Sequence, residues 1–128
     1  MIAPIMAVPL HYLEFDSSED AQGHGSFDAM AAAAPAQLGA LQAEVARVLD
    51  WAHGQFGVPA ALDEGGEWDF ELQGVREVAT TLQVHWRLGA GLELQPGPTG
   101  EPRVTISLTL TGTPVFCDAL RTAFALES

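Results

Sequence analysis

The sequence predicts an α+β fold, a two-layer sandwich of order β-α-β-β-β-α with two helices packed on one face of a four-stranded, mostly antiparallel sheet. Three observations carry that expectation. Apolar residues recur at three- and four-residue intervals from Leu38 to Phe56, the stripe of an amphipathic helix. Period-two alternation runs through three later segments, the pattern of antiparallel strands with one buried and one polar face. A Thr113-Pro114 pair then opens a second, shorter apolar stripe.

Taken in order, residues 9–16 alternate as a first strand, with Leu13 and Phe15 on one side and Tyr12, Glu14 and Asp16 on the other. The Ser/Asp/Gly-rich run 17–26 reads as a loop, after which Ser26 or Asp28 caps a short helical piece through Ala34. Pro35 suits the first turn of the main helix, where its missing N–H costs nothing. Leu38, Leu41, Val45, Val48, Leu49, Ala52 and Phe56 form that helix's apolar stripe; Gly57 ends it and Pro59 prevents continuation. After a loop at 60–66, Trp68, Phe70 and Leu72 alternate with polar neighbours up to a break near Gly74. Leu82, Val84, Trp86 and Leu88 alternate in turn, and Leu92 and Leu94 keep the same parity, so one strand is expected to run on to Gln95 despite Gly89 and Gly91. PGPTGEP at 96–102 is a turn, since Pro and Gly supply its backbone angles. Val104, Ile106, Leu108 and Leu110 make the last strand, and a helix over 114–126 packs Phe116, Leu120, Ala123 and Phe124 inward.

A chain of 128 residues with 48% hydrophobic and 17% charged residues has the length and composition of one globular domain, 1–128. Its 17 acids against 5 arginines give a net charge of −12. That balance argues against nucleic acid and anionic membrane surfaces as partners and leaves room for a basic protein or a cation. Cys117 stands alone, so no intrachain disulfide forms, which suits a reducing compartment. The opening MIAPIMAVPL lacks a basic leader region and is too short to span a bilayer, so the expected location is the cytoplasm.

The densest run of ionisable groups is His11, Glu14, Asp16, Glu19, Asp20, His24 and Asp28, with no Lys or Arg among them. A helix-loop-helix calcium loop counted from Asp16 fails, because Ala21 replaces the required glycine and Phe27 the bidentate glutamate. A looser metal site from Asp16, Asp20, His24 and Asp28 stays geometrically open. The simpler reading is solvated acids leading into a helix N-terminus, where the dipole favours them. No zinc spacing of histidines occurs, and Gly23-His24-Gly25-Ser26 is no nucleophile elbow, since Phe27 follows the serine. His53 follows Asp50 by three residues, which is helix-surface electrostatics.

On the polar face of the expected sheet, His85 and Arg87 flank a row containing Thr105, Ser107 and Thr109, a surface that could dock a partner, a second copy or a small polar ligand. Trp51, Trp68 and Trp86 suit core or rim packing, and Cys117 a small buried hydrophobe. Gly89-Ala90-Gly91 lacks a phosphate-binding pattern and reads as a bulge or bend.

The runs HYLEFDSSED (11–20), GSFDAM (25–30), RVLDWA (47–52) and GGEWDF (65–70) resemble a family of small uncharacterised bacterial proteins. The resemblance implies a stand-alone domain and carries no activity, catalytic residue or cofactor.

These features decide neither for nor against an enzyme and name no cofactor. They favour a non-enzymatic interaction module, inhibitor- or chaperone-like, that meets a basic protein through the open sheet face or the acidic loop, as a monomer or weak homodimer. The alternative is a divalent-cation or small-ligand protein, hydrolytic in one version, built on the acidic loop 14–28.

Overall fold

A computed structural model describes residues 8–126 and has the expected α+β class. Strands β1 (Asp16–Glu19) and β2 (Gly25–Ala33) precede helix α1 (Pro35–Phe56). Strands β3 (Trp68–Glu77), β4 (Thr80–Arg87), β5 (Gly91–Thr99) and β6 (Arg103–Gly112) follow, and helix α2 (Pro114–Phe124) closes the fold. A four-stranded antiparallel sheet has the order β1-β2-β6-β3, and β4 and β5 form a separate two-stranded sheet.

The core lies on one face of the larger sheet. Phe27, Ala29, Ala31 and Ala33 of β2 pair with Leu110, Leu108, Ile106 and Val104 of β6, so both rows point the same way. Leu41, Val45, Val48 and Ala52 of α1 and Phe116, Cys117, Leu120 and Phe124 of α2 join that row in one buried cluster. Trp68 is buried there, stacked on Phe116, and its indole N–H donates to the Gly57 carbonyl at 2.9 Å. The helix ends follow the sequence reading. Pro35 and Pro114 sit in first turns, Gly57 ends α1 at φ 82°, and the Thr113 hydroxyl accepts the Phe116 N–H.

Six expectations need correction, two of them brief: β3 runs through Gly74 without the expected break, and residues 96–99 of the expected turn belong to β5. Residues 9–15 form no strand; their backbone donors go elsewhere, with the N–H groups of His11, Tyr12 and Leu13 donating to the buried Glu44 carboxylate. The supposed loop 17–26 is a β-hairpin, whose turn is built by the Asp20 side chain accepting the Gln22 and His24 N–H groups. Ala29–Ala33 is strand rather than helix: pairing with β6 overrides alanine's helix propensity, and the small side chains fill the layer beneath α1. Residues 82–95 form two strands that reverse at 88–90, with Gly89 in the turn and Gly91 opening β5 at φ of 81° and 87°.

That last reversal was hidden by parity. Val84 faces Leu94 and Trp86 faces Leu92, so register partners share parity and the hairpin alternates just as one long strand would. Among the described residues no helix is long and apolar enough to cross a membrane.

Candidate functional site

The acidic hairpin β1–β2 carries the predicted metal residues but divides them. Asp16 and Asp28 are register partners at its open end, and Asp28 accepts the Thr109 hydroxyl at 2.6 Å. Asp20 and His24 meet at 3.5 Å in the turn. Among the described residues no three His, Cys, Asp or Glu side chains gather closely enough to hold a metal ion. The turn instead borders an open cleft of about 620 Å³ lined by Glu19, Asp20, Asp63 and Asp69 among others. Arg121, projecting from α2 over the Phe27 ring, reaches Glu19 at 3.0 Å and Asp118 at 3.4 Å.

The predicted polar interaction set is also split. Thr105, Ser107 and Thr109 lie on β6 with side chains on the sheet face away from the helices, beside exposed Met30 and half-exposed Val75. His85 and Arg87 belong to β4 in the other sheet, where Arg87 meets Glu93 at 3.4 Å. Cys117 is buried, and that burial pushes its thiol pKa up against the opposing pull of the Gly25 backbone and Arg121. His53 is exposed at the end of α1.

The feature the sequence reading missed is the β4–β5 arm. It continues the β3–β6 ribbon beyond the layer covered by the helices, with the Gly100 N–H donating to the Ala79 carbonyl at 2.8 Å where the two halves join. Every residue of β4 is exposed, and β5 is exposed apart from half-buried Gly97. On one side of the arm stand the cross-strand pairs Leu82–Pro96, Val84–Leu94 and Trp86–Leu92. The opposite side carries Gln83–Gln95 and His85–Glu93. Trp86 is 70% exposed, Leu92 65% and Leu94 60%, which overturns the expectation that Trp86 is core or rim. The alternation was legible; what it could not convey is that, among the described residues, nothing covers the apolar side.

Nearer the body, half-exposed Leu72 on β3 borders an apolar groove of about 400 Å³, shared with Val45, Leu49 and Ile106. Comparison of the chain with protein-family models, curated proteins and solved structures finds no match in any of the three.

Proposed function

We propose that this chain is a non-enzymatic, cytoplasmic protein-interaction module whose β4–β5 arm is the docking element. One observation carries the reading: an amphipathic two-stranded ribbon holds three apolar cross-strand pairs open to solvent. An isolated hairpin is marginally stable in water, and an apolar face of this kind gains stability only when another surface covers it. A protein suits that role better than a bilayer, because the unpaired outer edges of β4 and β5 need hydrogen-bond partners that hydrocarbon does not offer. Burial of Cys117, the chain's one thiol, keeps it from acting as a surface nucleophile and suits the non-catalytic reading. A photoreactive side chain in place of Leu92 is expected to give discrete protein adducts in living cells, and one in place of the exposed Ala43 on α1 is not. Equal, diffuse labelling from both positions would remove the arm from this role.

The acidic cleft favours a second contact, with a basic segment of a protein partner. Of Glu19, Asp20, Asp63 and Asp69, only Glu19 meets an arginine among the described residues. Such a contact weakens steeply with salt. Binding unchanged by salt, or by Asp63→Asn with Asp69→Asn, would dismiss it.

A further inference from the structure

We infer that the partner of the β4–β5 arm is a second copy of this chain, packed face to face on the apolar side about a two-fold axis. This inference rests on the docking reading above and names its occupant.

The area is of the right size. Leu82, Val84, Leu92 and Leu94 are each half or more exposed, and Trp86 more so. At the usual transfer energies each aliphatic side chain here offers on the order of 100 Å², and the indole somewhat more, which makes roughly 500 Å² per arm. Two arms facing one another bury about 1,000 Å² of apolar surface alone, the lower bound for a specific interface.

Charge points the same way. The molecule carries a net −12, so two copies repel wherever acidic surfaces meet. The arm is the exception, because its one arginine and one glutamate, Arg87 and Glu93, neutralise each other across the ribbon on its polar side. Two acidic molecules can therefore meet there without opposing carboxylates.

Shape completes the case. The bulkiest pair, Trp86–Leu92, lies toward the tip, the smallest, Leu82–Pro96, toward the base, and Val84–Leu94 between them. A two-fold axis crossing the arms at the middle pair sets each copy's indole over the other's Leu82 and Pro96. Large side chains then meet small ones twice over, as an isologous contact requires. The two-stranded sheets become the layers of a small sandwich with their polar sides outward.

The test is sedimentation equilibrium of the full chain across the micromolar range. The expected result is a species of twice the 13.6 kDa chain mass. Trp86→Ser and Leu94→Asp should each weaken the dimer at least about 30-fold, as central anchors of an interface do. Gln83→Ala, on the polar side, should leave it unchanged. All these positions are exposed, so the variants retain their fold, which the circular dichroism of the monomer checks. A monomer throughout, or a dimer indifferent to Leu94→Asp, overturns the inference. If the chain is monomeric while Leu92 crosslinks in cells to a different polypeptide, the second copy is wrong and the docking reading stands. If it is monomeric and no adduct forms, both fall. Flotation with phosphatidylcholine vesicles that Trp86→Ser abolishes would assign the arm to a membrane and also overturn both.

Discussion

Replacing Glu44 by alanine is expected to cost about 3–5 kcal/mol of folding stability, more than a substitution on the outer side of a helix ordinarily would. Glu44 is 4% exposed, and its two carboxylate oxygens accept the backbone N–H groups of His11, Tyr12 and Leu13, the latter two at 2.8 Å. One side chain thereby does for an irregular segment what a neighbouring strand does for a ladder. Removing it strands three donors at about 1–3 kcal/mol apiece, and water recovers part of that at exposed His11 but little at buried Leu13. Leu13 belongs to the core, so its displacement adds a packing loss. Glu44→Gln keeps the shape but turns one acceptor into a donor facing donors, and should lose about half as much. Arg47, 3.8 Å away and 44% exposed, contributes little, and Arg47→Ala should stay within about 1 kcal/mol. Urea unfolding followed by tryptophan fluorescence gives these differences, and amide exchange at residues 11–13 locates them. A Glu44→Ala loss below about 1 kcal/mol, with those amides still protected, would refute the clamp.

Two further predictions follow from the same core. Gly112→Ala would place a methyl group inside the Phe116 ring position and should cost at least about 1–3 kcal/mol, seen as a lowered urea midpoint; an unchanged midpoint would mean the sheet and α2 lie farther apart than described. Cys117 should confer an alkaline limit on stability. The unfolded thiol ionises near pH 9, whereas burial holds the folded one protonated to higher pH. Between those two values the unfolded chain binds fewer protons, so stability is intact below pH 9 and falls as pH rises through that window. Urea midpoints of the wild type should therefore drop relative to Cys117→Ala above pH 9, and parallel curves for the two proteins would contradict this.

Much of the fold was legible because its patterns were local. The stripe from Leu38 to Phe56, the capping Thr113 and the alternation of Val104 to Leu110 all matched the elements found. What escaped depended on distant partners. Ala29–Ala33 has a helical composition and is a strand only because β6 pairs with it. His11–Leu13 alternate like a strand and are none because Glu44 takes their amides. The metal set failed to assemble because Asp20 and His24 close a turn while Asp16 and Asp28 sit at the other end of the same hairpin. His85 and Arg87 were grouped with the Thr105–Thr109 row on parity alone, which cannot tell a strand in the sheet from one in an arm. The arm's apolar residues were all visible, and their exposure was not, since alternation records a face that seeks burial without saying whose surface provides it.

The alanine strand also has a consequence for biosynthesis. Phe27 finds its partner Leu110 across about two-thirds of the chain, and β2 lies between β1 and β6 with β6 its main support. On the ribosome, β2 emerges early and must wait until β6 has been made before its central position in the sheet can exist. During that interval alanine's helix propensity works against the strand from Ala29 to Ala33, while Pro35 keeps that run from joining α1 as one helix. Folding of this chain is thus tied to completion of β6, and until then β2 has only β1 to pair with.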